Sequence, residues 1–470
     1  MSQVATMQRG LEKALRRASI ADDRELAGRV RDDGHRLVFL LNGLIRTSRL
    51  YHSDNAAFDA PAAECASVLG GLLELLGAVH IVCVEDNVYV NDVRLRVRPT
   101  EQVVVDAFVA ELNRHNVGGI SIHGVLAAPQ VQALARALSQ PAGESGRSRA
   151  ALSERLSGLR EIEVTGRYRF RVAGERTSVK QRHDDVLRRG AAVVKEAVAN
   201  LGANRLPNPL PVRRAVVDLV GSLRENVGRA AASPLRQRLG SAGDQHLLSV
   251  CNLSLLLGQA LGLSESALGD LGVAAMLHDV GYAHGGSKAT HAADGARLLL
   301  RQRGFHEGKI RRLRVVLEHH LATGAQQLSL FARILHIADD YDMLTAPRPG
   351  QMPGMPPPTA QGAMWAARGT AYDADLMALF VRLMGAYPPG SLLELSNGRW
   401  VMSISGGRDQ ERFAWPITTL IQEADGSAPA ASEELDLFEL RYRLRPKRVL
   451  NPATKGLDIT AALERAFVEP

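Results

Sequence analysis

The stretch Leu271-Gly-Val-Ala-Ala-Met-Leu-His-Asp-Val-Gly281 places a His-Asp pair, His278 and Asp279, at the end of an apolar run. Further side chains of metal-binding type lie around this pair in the sequence: His246, His291, His319, His320 and Asp339. Imidazoles together with carboxylates bind borderline divalent metals such as Zn, Fe(II) and Mn(II). The set therefore predicts one metal centre around which the neighbouring helices are organised.

Most of the candidate ligands lie on segments whose apolar residues recur with the period of an α-helix. The predicted apolar faces are Val250, Leu253, Leu257 and Ala260 with His246; Ile310, Leu313 and Leu317 with His320; and Leu330, Ile334, Ile337 and Tyr341 beside Asp339. Burying imidazoles and a carboxylate in an apolar bundle is costly unless they are paired or bind a metal. A shared metal site would satisfy all of them at once.

A single histidine is more often a satisfied core or surface residue than a metal ligand. We interpret His284, His306 and His336 in that way, because nothing in the sequence connects them with the set. A purely structural explanation of the whole set is disfavoured, since each of several buried polar groups would need a partner of its own.

From about Val212 to Ala424 the chain resembles the HD-GYP domain family, phosphohydrolases of the HD superfamily known for hydrolysing cyclic di-GMP. The matching segments are the helix that begins near His246, Ala274–Gly281 with the His-Asp signature, His291–Gly295, the pair His319-His320, Arg333–Thr345, Arg348-Pro349 and Tyr387–Gly398. The resemblance implies two divalent metal ions, such as Fe or Mn. It implies that their ligands are His246, His278, Asp279, His291, His319, His320 and Asp339.

The resemblance also implies a mechanism. The two ions would clamp a phosphodiester, such as a cyclic dinucleotide, and activate a water molecule. In this interpretation His278 and Asp279 are the catalytic pair, and Asp279 bridges the ions. Arg348 and Tyr282 are the candidate substrate-binding residues.

The chain departs from the family pattern on the substrate side of the predicted site. Tyr282 stands where the family has a phosphate-binding lysine, and it offers a hydrogen bond but no positive charge. The segment Leu321–Gln327 lacks the Gly-Tyr-Pro loop, and Ala242 replaces a glutamate that some members use for a third metal. Two hypotheses follow. The domain is either a phosphohydrolase with weakened or altered substrate binding, or a catalytically inactive signalling adaptor that binds metal or nucleotide and a protein partner.

Composition restricts the remaining possibilities. With 470 residues, 46% of them hydrophobic, the chain is long enough for two or three domains. No apolar run approaches the roughly 20 residues of a membrane span, so we expect a cytoplasmic protein. The formal charge of +7 includes only seven lysines among 57 basic residues, which we interpret as compositional bias. The three scattered cysteines are typical of reduced thiols in a core.

The fold is predicted to be mainly α, with an HD-type helical bundle and a small β tail that follow an α+β N-terminal module. The predicted regions are the module at 1–175, a helical linker at 176–211, the HD-GYP-like domain at 212–385, the β-rich tail at 386–424, and a linker with a basic tail at 425–470. A predicted hairpin over Val79–Val90 indicates strands in the N-terminal module, and the prolines of Leu206–Pro211 indicate the end of the linker. The Asn397-Gly398 turn predicts a hairpin in the β-rich tail.

The N-terminal module contains no recognisable catalytic motif. We expect it to sense a signal, to bind a protein partner or to form a homodimer. Arg167, Arg169 and Arg171 alternate with Tyr168 and Phe170, a pattern that can contact nucleic acid. An exposed strand face in front of a core face explains the same pattern, so nucleic-acid binding is not expected.

Overall fold

The computed structural model describes residues 20–50, 58–84, 87–95, 97–142, 147–167, 179–225, 242–301, 307–321, 328–346, 354–407, 409–431 and 433–455. Within these ranges the chain forms 14 α-helices and two five-stranded antiparallel sheets. The predicted fold class, mainly α with an α+β N-terminal region, is confirmed. None of the described helices has both the length and the apolar composition of a membrane span. Arg348, Tyr168, Phe170 and most of Leu321–Gln327 lie outside the described residues.

The N-terminal region has helices on one face of its sheet. Its elements are α1 (Ile20–Leu50), α2 (Asp59–Leu76), β1 (Val79–Val84), β2 (Asn87–Val90), β3 (Val93–Arg94), α3 (Gln102–Arg114), β4 (Val117–Ile122), α4 (Ala128–Ser139), α5 (Ser148–Arg155) and β5 (Ile162–Gly166). The strand order is β3-β2-β1-β4-β5. Alternate residues Val79, Ile81 and Cys83 of β1 join the helices in one core, as the two-residue period of a strand requires.

The opposite face of this sheet contacts the rest of the chain. Val82 and Val84 of β1 and Tyr89 of β2 form a small buried cluster with Leu210. The guanidinium of Arg214 donates a hydrogen bond to the Tyr89 hydroxyl over 2.8 Å. Because both faces are covered, every residue of β1 is buried. The N-terminal module is therefore packed against the helical region.

The helical region is built from nine helices around one core. They are α6 (Val179–Gly202), α7 (Pro209–Glu225), α8 (Ala242–Ala260), α9 (Glu265–Leu277), α10 (His291–Leu300), α11 (Glu307–Glu318), α12 (Leu330–Thr345), α13 (Pro357–Ala366) and α14 (Ala374–Met384). The sequence predicted a linker at 176–211, yet Val194, Ala197 and Leu201 of α6 belong to this core. Their spacing of three and four residues presents one apolar face to it. Pro209 and Pro211 lie in the first turn of α7, where proline is tolerated.

The chain ends in a second antiparallel sheet. Its strands are β6 (Leu392–Leu395), β7 (Trp400–Ser403), β8 (Ile417–Gln422), β9 (Glu434–Asp436) and β10 (Pro446–Leu450), in the order β10-β6-β7-β8-β9. The sequence predicted that the β tail would end near Ala424, followed by a solvated basic tail. Instead β10 pairs with β6, and Glu394 of β6 forms ion pairs with Lys447 and Arg448. The neutralised charges are compatible with a strand.

The contact between the two regions gives a first prediction. Leu210 is buried against the N-terminal sheet, so we expect Leu210→Ala to lower the free energy of unfolding by about 2 kcal/mol or more. Val217→Ala on the same helix is the matched control, because Val217 is 60% exposed. Urea unfolding of both variants measures the difference. Equal stabilities for the two variants would contradict the packing described above.

Candidate metal centre

The His-Asp pair lies where a helix meets a tight turn. Helix α9 ends at Leu277, His278 caps it, and a 3-10 turn follows from Val280 to His284. A Cβ atom at Gly281 would collide with the carbonyl oxygen of His291, the first residue of α10. Only glycine permits this close approach of two backbones. The Val-Gly that follows the His-Asp pair thus brings α10 and its histidine beside the end of α9.

The structure brings together all seven predicted ligands. Helices α8 and α12 carry His246 and Asp339, and the pair His319-His320 follows the end of α11. The ligands form two groups, and within each group one potential ligand atom per residue lies within 4.8 Å of the others. The first group is His246, His278 and Asp339. The second group is Asp279, His291, His319 and His320.

Asp279 lies between the two groups. Its Oδ2 atom is 3.5 Å from the Nε2 atom of His246 and 3.6 Å from that of His278. Its Oδ1 atom is 3.3 Å from Nε2 of His291 and 3.7 Å from Nε2 of His319. Each carboxylate oxygen therefore faces one group, which is the arrangement that a bridging carboxylate requires.

Backbone carbonyls fix the protonation of three of the rings. The Nδ1 atoms of His278 and His319 each lie 2.8 Å from a carbonyl oxygen, that of Ala275 and that of Val316. The Nδ1 atom of His291 lies 3.1 Å from the carbonyl oxygen of Lys288. Since a carbonyl only accepts, each Nδ1 must carry the hydrogen. In the neutral rings each Nε2 atom therefore presents a lone pair.

The Nε2 lone pairs of His291 and His319 face each other without a donor between them. The Nε2 atoms of His291 and His319 are 3.3 Å apart, and those of His291 and His320 are 3.1 Å apart. The buried Nε2 atom of His278 has no hydrogen-bond partner among the described residues. Neighbouring lone pairs repel unless a cation or proton lies between them, so the residues present fit divalent metal ions.

The electrostatics of the cluster also favour divalent metal ions. Burial alone would raise the pKa values of Asp279 and Asp339, but the surrounding imidazoles outweigh it and hold both well below their usual range. Burial lowers the pKa of His278. Burial, reinforced by His319, lowers the pKa of His320 to about 4. Near neutral pH the cluster thus offers ionised carboxylates at Asp279 and Asp339 and neutral imidazoles at His278 and His320, donors of the kind that a transition-metal site uses.

Tyr282, the predicted substrate-binding residue, lies at the edge of the cluster. Its ring stacks on the imidazole of His291 with the centroids 4.2 Å apart and the planes 9° from parallel. Tyr282 remains 44% exposed, so it covers one side of His291 and faces solvent with the rest. Arg348, the other candidate, lies outside the described residues.

Sequence reasoning missed Asp342. This buried carboxylate lies 2.8 Å from the Nδ1 atom of His246. It plays the part for His246 that backbone carbonyl oxygens play for His278, His291 and His319. Burial lowers the pKa of His246, but Asp279, Asp339 and Asp342 outweigh burial and raise it well above its usual value. The available signal was the position of Asp342 three residues after Asp339, nearly one helical turn along α12.

Comparisons with known proteins agree with this geometry. Residues 243–344, which include all seven ligand candidates and Asp342, match the family model of the HD domain. The chain contains an HD-superfamily domain. The chain is also 28% identical over 179 residues to cyclic di-GMP phosphodiesterase PA4108 of Pseudomonas aeruginosa. The match covers 33% of this chain and 42% of that protein, so the chain spans about two fifths of the length of its curated relative.

The role of Asp342 in the HD domain is testable. We expect Asp342→Asn to weaken Mn(II) binding about 10- to 100-fold, because a carboxylate behind a ligating histidine orients the ring and raises its basicity. Competition with a metal chelator measures the change. Asp294→Asn is the control, since Asp294 is a partly exposed aspartate that pairs with Arg297 on α10. Equal affinities of the two variants would exclude this role.

Proposed function

We propose that the HD domain is a metal-dependent phosphohydrolase that hydrolyses a phosphodiester with two bound divalent ions such as Fe(II) or Mn(II). The observation that carries the proposal is the position of Asp279, whose two oxygens face two separate groups of ligands. The relative from Pseudomonas aeruginosa is described as a cyclic di-GMP phosphodiesterase, which makes cyclic di-GMP the first substrate to test.

Each of the two groups of ligands would hold one metal ion. His246, His278 and Asp339 would hold one ion, His291, His319 and His320 the other, and Asp279 would bridge both. When bound, two divalent ions supply Lewis-acid activation of water and neutralise charge on the phosphodiester. The backbone carbonyls of Ala275, Lys288 and Val316 keep the lone pairs of their histidines aimed at the ions.

Differences in burial indicate where a substrate would enter. His278, His291, His319 and Asp339 are buried. The side chains of Asp279 and His320 are 21% and 40% exposed, and Tyr282 stacks on His291, which lies between them. The phosphodiester would therefore approach over Asp279, His320 and Tyr282, with the remaining ligands behind.

A second candidate function is that of a non-catalytic signalling adaptor. It is favoured by Tyr282, which stacks on His291 at this entrance and provides no positive charge for a phosphate. In this role the ligand cluster would stabilise the bundle around metal or nucleotide. The N-terminal module would bind a protein partner or a second copy of the chain.

The two functions predict different results for one set of variants. We expect the wild type, purified without oxygen and with added Mn(II) or Fe(II), to contain two ions per chain and to hydrolyse cyclic di-GMP or bis(p-nitrophenyl) phosphate. We expect His278→Ala combined with Asp279→Ala to lose at least one ion and all hydrolysis, because both groups lose a ligand. Elemental analysis and product formation on the same samples measure both quantities.

Each outcome favours one interpretation. Two ions without turnover of either phosphodiester would favour the adaptor over the enzyme. Hydrolysis that survives in the double variant would show that the activity resides elsewhere. A wild type that binds no metal under these conditions would refute the assignment of the site.

Substitution of Tyr282 tests the substrate side. We expect Tyr282→Lys to lower the KM for cyclic di-GMP about tenfold, equivalent to roughly 1.4 kcal/mol, because an ammonium group adds a charge-assisted hydrogen bond to phosphate. Tyr282→Phe retains the ring that stacks on His291 and is the control. Metal content is measured for both variants. An unchanged KM with full metal content in Tyr282→Lys would mean that the substrate phosphates do not approach this position.

A further inference from the structure

The paired histidines lie at a point where the backbone needs an outside partner. Helix α11 ends at Glu318, and the carbonyl groups of the last turn of a helix have no intrahelical donor. His319 follows directly and uses its own Nδ1 atom to reach the carbonyl oxygen of Val316. The carbonyl group of His319 itself is satisfied from another helix, since the Nδ1 atom of His336 on α12 donates to it over 2.6 Å.

The other edge of the His336 ring is also fixed. Its Nε2 atom lies 3.6 Å from Oδ2 of Asp340, one turn further along α12. The Tyr372 hydroxyl donates a hydrogen bond to the same carboxylate oxygen over 2.8 Å. The rings of His336 and Tyr372 lie 5.4 Å apart. Contacts at both edges leave the His336 imidazole one orientation, in which Nδ1 points at the end of α11.

From these contacts we propose that His336 is a positioning residue for the second group of metal ligands. It is not itself a member of either group. By holding the His319 carbonyl group, it sets where the side chains of His319 and His320 stand relative to His291. Asp340 and Tyr372 hold His336 in turn. From the sequence His336 is interpreted as a structurally satisfied histidine, because nothing there connects it with the ligand set. Its partner is a backbone atom 17 residues away.

The contacts of α12 make this role specific. Asp339 is a candidate ligand of the first group, and Asp342 holds His246 of the same group. His336 contacts the backbone of the second group, whereas Asp339 lies 3.9 Å from the Nδ1 atom of His320. A change at His336 should therefore affect the ion held by His291, His319 and His320 more than the other ion. The consequence for metal binding rests on the proposed function, whereas the fixation of the backbone does not.

The test compares three substitutions at one position. In His336→Asn the amide nitrogen takes the place of Nδ1 and can still donate to the His319 carbonyl group. In His336→Gln the amide reaches the position of Nε2 and Asp340 instead, and His336→Ala removes both contacts. Arg333→Ala is the control on the same helix, because Arg333 pairs with Asp373 and is not among the grouped ligands.

The first readout needs no metal. Hydrogen–deuterium exchange of the metal-free chain, followed in the peptide that covers 313–321, should be at least tenfold faster in His336→Ala and His336→Gln than in the wild type. His336→Asn and Arg333→Ala should exchange at nearly the wild-type rate. The proposal is overturned if His336→Ala matches the wild type, or if glutamine restores protection and asparagine does not.

The second readout is Mn(II) titration of the same proteins. We expect one of two binding events to weaken about tenfold in His336→Ala and to recover in His336→Asn, while the other event stays unchanged. Loss of both ions in equal measure would contradict a role confined to the second group. If the wild type binds no Mn(II), the proposed function fails, and hydrogen exchange alone decides whether His336 fixes the end of α11.

Discussion

The main physical constraint on the site is the mutual repulsion of imidazole lone pairs that point into one buried space. His278, His291 and His319 each donate through Nδ1 to a backbone carbonyl group, so their Nε2 atoms have no proton to share. The ionised carboxylate of Asp279 adds negative charge at the same place. A cation at the centre of the cluster would relieve this repulsion, at the place where the close approach of Gly281 to His291 brings two helices together.

Contacts from the N-terminal region extend towards this centre. Glu163 of β5 forms an ion pair with Arg205, just beyond the end of α6. Near that end, Gly202 packs closely against the carbonyl oxygen of Ala283 in the 3-10 turn that carries Tyr282. The end of helix α6 and the residues that follow it thus contact both the module and the turn at the edge of the metal centre. It provides a continuous physical path between them, which an exposed linker would not provide.

The sequence predicted the parts of the site that carry their own signal. Helical periodicity and ligand chemistry identified all seven residues that the structure brings together, including His246, which lies 93 residues before Asp339. Asp342 and His336 escaped prediction, because their roles depend on partners in other elements, an imidazole on α8 and a carbonyl group after α11. Strand β10 escaped for the same reason, since Glu394, which pairs with its Lys447, lies 53 residues earlier in the sequence.

The buried ligands and Tyr282 at the entrance differ in how freely they can be substituted, and this difference has a physical origin. Removing one ligand leaves the lone pairs or charges of its neighbours unsatisfied, so the buried set is retained or lost as a unit. Tyr282 is different, because it is 44% exposed and contacts His291 by stacking rather than by supplying a metal ligand. An entrance residue can therefore change while the metal donors stay in place. For that reason an intact donor set is compatible with both an enzyme and an adaptor, and the chemistry at Tyr282 distinguishes them.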